Sequence, residues 1–365
     1  MVLKYISQPF LLLCLLVGFS PSHGLAEKLI TADNPHIRYM GRVDLSKPGQ
    51  AGVSWPGTQI DTVINGGELG ITLDDQYGKN YFNVFIDEDW HTPIVIACEQ
   101  GRKTYWISRY LSAGKHRVTV SKRTEGEEGR TLFVGFNVAE KGKLFAPPKL
   151  PQRKIEFYGD SITSGMGNEA ALYSGDAELA EKNSFMSYAA ITGRKLKADY
   201  RLISQSGIGI MVSWFDFIMP QFYDQLDAVG NNETAWDFSL WRPDVVVINL
   251  FQNDSWLVEK RLNPVPSDSE RINAYKAFLS SVRHKYPSAL IVATLGSMDA
   301  TRKTSAWPGY IESAVASLKV EQQDNRIVTL FFPFEDYGQH PRVFHHQRNA
   351  ERLSAFIAKK MNWKM

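Results

Sequence analysis

Cysteine is nearly absent from this 365-residue chain, which has only Cys14 and Cys98. Cys14 falls inside an N-terminal apolar run, so beyond that run Cys98 stands alone. One thiol excludes an intramolecular disulfide and a multi-cysteine metal site, and Cys98 is expected as an ordinary buried residue in a strand. Charge of one sign is lacking too. Against 41 Lys and Arg stand 39 Asp and Glu, and the formal charge is +2. With no basic block, neither nucleic acid nor an anionic membrane surface is an implied partner. The N-terminal apolar run, Phe10 to Phe19, falls short of the roughly 20 residues that span a bilayer. No two histidines have the His-x-x-x-His spacing of a zinc pair, and His345 and His346 lack neighbouring carboxylate or thiol ligands. No metal and no other cofactor is expected. His284, before Lys285 on a helix face, reads as solvated. The Gly-x-Ser-x-Gly elbow of the α/β-hydrolases is missing as well.

What is present begins with an export signal over residues 1–26. Lys4 supplies the positive charge, Phe10–Phe19 the apolar core, and Gly24 and Ala26 the small residues near a cleavage point. A buried helix or an anchor is the alternative reading. Cys14 lacks the small residues that precede a lipid-modified cysteine. The signal implies an exported protein, periplasmic or extracellular, free of membrane once the signal is removed, and a monomer is expected. A hydrophobic content of 44% with 12% aromatics suffices for sizeable cores.

Residues 27–145 carry short β signals: Tyr81–Ile86, Pro93–Ala97, His116–Ser121 and Thr131–Val138. Turns are expected at Pro56-Gly57, Gly66-Gly67 and Ala113-Gly114, and the pattern predicts a β-sandwich. A Pro-rich linker, 146–152, follows. In 153–365 strands alternate with helices. Strands are expected at Lys154–Tyr158, Tyr200–Ser204, Asp244–Leu250, Ala289–Leu295 and Ile327–Phe332. Helices are expected at Asn183–Leu196, at Ser269–Tyr286 with Ser269 as cap, and at Ala350–Met361. This predicts a three-layer α/β/α domain with a mainly parallel sheet, whose chemistry gathers beyond the C-terminal strand ends. Ser161, Ser206-Gly207, Asn253 and His340 all follow such strands.

A serine hydroxyl becomes a nucleophile only when a base takes its proton. The carbonyl oxygen it attacks gains charge that preorganised N–H donors must meet. Gly159-Asp160-Ser161 alone is a weak signal, more often read as a helix-capping turn. Asn253-Asp254 can likewise be a turn and cap, and Gly207 a tolerated left-handed turn.

Together, GDSIT at 159–163, SQSGIG at 204–209, QND at 252–254 and QHP at 339–341 resemble the four blocks of the SGNH (GDSL-type) hydrolases, in order and spacing. With a β-sandwich in front, the chain is similar to carbohydrate esterase family 2, whose members remove acetyl groups from plant-type polysaccharides. YMGRVD (39–44), SWPGTQI (54–60), GKHRVTVSKRTE (114–125), FYGDSITSGMGNE (157–169), SYAAITGRKL (187–196) and HPRVFHHQRNAERL (340–353) are family-like. The resemblance implies a flavodoxin-like catalytic domain behind a jelly roll, and an acetylated carbohydrate as substrate. It implies Ser161 as nucleophile, His340 as base, and Ser161 N–H, Gly207 N–H and the Asn253 amide as the oxyanion hole, with Gly209 competing with Gly207. Asp254 and His346 are given structural roles.

Two departures stand out. Phe251-Gln252 replaces the family's usual Gly-Thr, with side chains large enough to crowd the acyl pocket. The superfamily's common Asp, three residues before the histidine, is here Tyr337. The expectation is a Ser161–His340 dyad, as the family includes, with Asp336 as the candidate third member. Among Trp214, Trp256 and Trp307, each readable as core, Trp256 and Trp214 are candidate sugar contacts. A lipase- or thioesterase-like enzyme and a non-catalytic carbohydrate-binding protein are the alternative functions.

Overall fold

The computed structural model describes residues 27–335 and 338–365. The expected export signal and Asp336 lie outside them. Among the described residues no helix is long and apolar enough to cross a membrane.

The N-terminal region holds β1 (Glu27–Thr31), β2 (Arg38–Met40), β3 (Val43–Asp44), β4 (Ala51–Val53), β5 (Gln59–Asp75), β6 (Tyr81–Ile86), β7 (Ile94–Ala97), β8 (Gly101–Lys122), β9 (Thr131–Ala139) and β10 (Leu144–Phe145). All pair antiparallel in one continuous curled sheet, with main order β3-β4-β9-β5-β8-β6-β7. Two of the expected turns are not turns. Gly66-Gly67 lies within β5 and Ala113-Gly114 within β8, and the β5–β8 register shifts between Asn65 and Gly70. Such bulges bend and twist a strand without ending it, so β5 and β8 run on as two long strands. Pro56-Gly57 does turn the chain. Ile60, Leu69, Ile71, Val118, Val120, Phe133 and Phe136 form a separate core inside the sheet. Cys98, buried against that core, sits one residue past β7 rather than within a strand.

The α/β domain contains β11 (Arg153–Gly159), α1 (Ser161–Ser164), α2 (Tyr188–Lys195), β12 (Ala198–Ser204), α3 (Met219–Phe222), β13 (Val245–Asn249), α4 (Gln252–Arg261), α5 (Asp268–Lys285), β14 (Leu290–Leu295), α6 (Trp307–Glu321), β15 (Ile327–Phe331) and α7 (Val343–Met361). The five strands are parallel, in the order β12-β11-β13-β14-β15. Counted within the domain this is 2-1-3-4-5, the doubly wound flavodoxin-type order. Side chains alternate across a strand, and β13 shows the consequence. Val246 and Ile248 pack with Leu257, Phe278, Leu279 and Ile311 of α4, α5 and α6. Val245 and Val247 pack with Ala189 and Ala190 of α2 and with Leu353 and Ile357 of α7. Strands apolar on both faces therefore read as unbroken hydrophobic runs.

Helix starts differ from the expected ones where a cap intervenes. A 3-10 turn occupies Ser184–Met186, and Ser187 then caps α2 by accepting from Ala190 N. The cap of α5 is Ser267, not Ser269, because Glu270 reaches back to complete a capping box. The last helix starts at Val343 rather than Ala350, and α4 and α6 were not anticipated. The topology reverses at β11, whose neighbours are β12 and β13. Ligands of doubly wound sheets bind at that switch point. Ser161 follows β11 and Asn253 follows β13.

Candidate active site

Asp160 caps α1, its Oδ1 accepting from Ile162 N at 3.0 Å. Ser161 is thus the first residue of a one-turn helix, and its N–H is among those with no intrahelical acceptor. The Asp160 carboxyl is fully buried, and burial pushes its pKa up to about 7, with Asp254 adding repulsion.

Ser161 Oγ lies 2.8 Å from His340 Nε2. His340 Nδ1 lies 2.7 Å from Asp176 Oδ2, which also accepts from the His340 backbone N at 2.9 Å. The pair expected from the sequence therefore has a carboxylate partner, and that partner is Asp176. Asp336 lies outside the described residues, while the single hydrogen Nδ1 can carry is directed at Asp176. Burial alone would raise the Asp176 pKa, but the two His340 hydrogen bonds and the charges of His340 and Arg342 bring it down to about 2. Arg342 secures the loop bearing Asp176 by donating to the carbonyls of Gly167, Ala171 and Ser174.

A second loop follows β12. Gly207 adopts φ +84°, the left-handed region that favours glycine. Gly209 is needed for a different reason, since a Cβ there would sit 2.6 Å from Asp254 Oδ2. The Gly209 N–H is already committed, donating to Ser213 Oγ at 3.0 Å. Asp254 is not the turn and helix cap expected: Phe251 holds the N-cap position and Asp254 lies within the first turn of α4. Its buried carboxylate gathers the N–H groups of Ile210, Met211 and Val212 and so braces this loop. Burial raises its pKa to about 6 despite those bonds. Asn253 is oriented from both ends: Oδ1 accepts from Trp214 Nε1 at 3.1 Å, and Nδ2 donates to Ile208 O at 2.9 Å. The amide carries a second hydrogen beyond the one Ile208 takes.

The expected crowding by Phe251-Gln252 does not arise. Phe251 holds φ +95° and turns its fully buried ring into the core, 4.8 Å from Tyr275 and 5.0 Å from Trp307. Gln252 reaches Asp299 Oδ1 at 2.8 Å and accepts from Ala300 N at 3.1 Å, tying down a neighbouring loop. The tryptophans separate by exposure. Trp307 is core, whereas Trp214 is 52% exposed. Trp256, half-buried and bonded to Asp299, lines a recess of about 170 Å³ with Phe334, Arg302 and Gln339, the residue before His340.

His346 is buried in α7 and accepts from Tyr188 N at 3.0 Å. Burial lowers its pKa to about 3, so it stays neutral. His345 Nδ1 accepts from Arg342 N, and His284 is exposed. Among the described residues, carboxylates close enough to share a cation occur at Glu125, Glu127 and Glu128. The ammonium of Lys182 already occupies that cluster, 2.8 Å from Glu125 and bonded to Glu128.

The 2-1-3-4-5 sheet, with Ser161 past its first strand and His340 against its hydroxyl, defines an SGNH-type α/β domain. The family model "Carbohydrate esterase 2 N-terminal" matches residues 39–148. An acetylxylan esterase / glucomannan deacetylase of Cellvibrio japonicus is 32% identical over 257 residues, 68% of this chain and 69% of the relative. The cellulase/esterase CelE of Acetivibrio thermocellus is 34% identical over 338 residues; the match covers 91% of this chain, which spans only 40% of that longer relative. A solved family two carbohydrate esterase from Clostridium thermocellum, in complex with cellohexaose, superposes with a TM-score of 0.80 at 32% identity, covering 90% of this chain and all of the other. The chain belongs to carbohydrate esterase family 2.

Proposed function

We propose that the protein is a serine esterase that removes O-acetyl groups from a carbohydrate through an acetyl-enzyme on Ser161. The observation that carries this reading is the continuous hydrogen-bonded line from Ser161 Oγ through His340 to Asp176. In the first half-reaction His340 Nε2 takes the Ser161 proton as Oγ bonds to the acetyl carbon. Asp176 holds the imidazole in the tautomer that leaves Nε2 free to accept, and stabilises the imidazolium that forms. The carbonyl oxygen, now negative, is met by Ser161 N–H, Gly207 N–H and the second Asn253 amide hydrogen. Collapse expels the sugar hydroxyl, which leaves with the proton from His340. Water, deprotonated by His340, then releases acetate. No metal takes part in this scheme.

The family relatives support a sugar ester. Trp214 and Trp256 offer aromatic faces for a sugar ring. We read the curled N-terminal sheet as a jelly roll spanning residues 27–145, joined by linker 146–152 to a catalytic domain over 153–365. We also read the protein as exported, on the strength of residues 1–26, and as acting alone as a monomer.

Acetate release should be measured across a panel of acetylated polysaccharides, with a p-nitrophenyl ester series alongside. Acetate is expected from at least one polysaccharide, and p-nitrophenyl acetate is expected to be preferred. A preference for acyl groups beyond butyrate would overturn the acetyl reading in favour of a lipase-like enzyme. Binding of polysaccharide with no hydrolysis of any ester would overturn catalysis altogether.

A further inference from the structure

The N-terminal region ends β8 in a strip, Lys122-Arg123-Thr124-Glu125, that is almost wholly buried against the α/β domain. Arg123 donates to Asn83 within its own sheet, and to Lys182 O, Ala180 O and Glu169 across the boundary. Those three partners flank the long loop that carries Asp176. Ser184 bonds back to the same strip, Oγ to Lys122 O and N to Arg123 O. Lys122 and Arg123 thus fasten one side of the site.

Glu125 fastens the other. Its carboxylate accepts from Ser206 N at 2.6 Å and from Ser206 Oγ at 2.5 Å, and pairs with Lys182 Nζ at 2.8 Å. Ser164, three residues beyond Ser161, lies beside the same carboxylate and donates its own hydroxyl hydrogen to Ser204 Oγ at 2.9 Å. Ser206 is the residue before Gly207, so Glu125 fixes the residue that leads into the Gly207 N–H. One buried side chain of the N-terminal region therefore touches both the helix of Ser161 and the loop of Gly207. Desolvating a carboxylate is costly, and here both Ser206 bonds that help to compensate it end on the loop of Gly207.

We propose that Glu125 is a positioning residue for the oxyanion hole, so that the N-terminal region is an integral part of the catalytic site rather than an appended module. The proposal rests on the acyl-enzyme reading above. Donors must be in place before charge develops on the acyl oxygen, and a misplacement on the order of 1 Å costs about a hundredfold in rate. Glu125→Gln turns one of the two carboxylate oxygens into an N–H₂ group. Either the Ser206 N–H, now on Oε2, or the Lys182 ammonium, now on Oε1, then faces a donor, and the residue that leads into Gly207 is loosened.

The test compares Glu125→Gln with Glu128→Gln. Glu128 shares the Lys182 ammonium and is equally buried, but its hydrogen bonds go to Lys182 and to Glu125 N and not to the 206–209 loop. Steady-state kinetics on p-nitrophenyl acetate are read beside thermal unfolding. Glu125→Gln is expected to lower kcat by about 10- to 100-fold with KM within about twofold. Glu128→Gln should lose similar thermal stability yet retain kcat. Equal kcat losses in the two variants, or a folded Glu125→Gln enzyme with wild-type kcat, would overturn the proposal. If Glu125→Gln does not fold, Ser206→Ala decides: a lowered kcat at unchanged KM supports it, and wild-type kcat overturns it. A wild-type protein inert on every ester would instead strike at the acyl-enzyme reading, so the two failures are distinguishable.

Discussion

Asp176 Oδ2 stands 2.7 Å from His340 Nδ1, although 164 residues of chain separate the two. The contact assigns the histidine its tautomer. Asp176→Asn keeps the shape but can present its N–H₂ to Nδ1, favouring the ring with Nε2 protonated and unable to accept from Ser161. The expected result is a kcat loss of roughly 10⁴-fold, as for the same change in a Ser-His-Asp triad, with little change in KM. Asp336→Asn should leave kcat near wild type. Steady-state kinetics of the two variants on one acetyl ester check both statements.

Asn253 is held by Trp214 and Ile208, so its amide is ready before substrate arrives. Asn253→Ala should cost about 2.7–4 kcal/mol of transition-state stabilisation, the usual value for one oxyanion donor, seen in kcat. Trp214→Phe removes only the indole N–H that steadies the amide, so its kcat loss should be smaller than that of Asn253→Ala. The reverse ranking would mean that Trp214 contributes more than orientation.

The Asp160 carboxyl gives a pH dependence whose sign can be worked out. Its folded pKa, about 7, lies above the ordinary value of 3.8. The folded state therefore binds the proton more tightly, and the associated stability is fully present below about pH 4 and is lost as pH rises through about 7. Asp160→Asn keeps an oxygen for Ile162 N–H and removes the charge. The variant's melting temperature relative to wild type should thus be higher at pH 8 than at pH 5. A difference that does not change with pH would show that the buried carboxyl is already ionised at pH 5, its pKa not raised by burial.

How much of this was legible beforehand depended on whether a residue's role is local. Tyr81–Ile86 matches its strand residue for residue because apolar side chains and flanking turn residues mark it locally. The five parallel strands were legible for the same reason. Gly66-Gly67 misled because glycine marks a bulge as readily as a turn, and only pairing with β8 decides between them. Ser161, Gly207, Asn253 and His340 follow strand ends, where topology alone makes residues converge. Asp176 had no such mark. It lies in the long stretch from Gly165 to Ser187, broken only by short 3-10 turns, and the one hint was that stretches of this kind in compact domains are usually functional. Its placement depends on Arg342 and Arg123, contacts that no local pattern encodes.

Phe251 tests whether the departure from Gly-Thr concerns stability or the acyl pocket. A non-glycine residue in the left-handed region carries about 1–3 kcal/mol of strain, whereas deleting a buried phenyl costs about 3–5 kcal/mol. Phe251→Gly should therefore be less stable by about 2 kcal/mol on balance. Its acyl-chain preference on p-nitrophenyl esters should be unchanged, because the ring packs on Tyr275 and Trp307. A shifted chain-length preference would return Phe251 to the acyl pocket.

The central claim is that acetate passes through Ser161. Wild-type enzyme mixed with an acetyl ester, quenched in acid within the first turnover and digested, should carry an acetyl group on the peptide containing Ser161. Ser161→Ala should carry none and release no acetate. An unmodified Ser161 peptide together with full acetate release by Ser161→Ala would contradict the account.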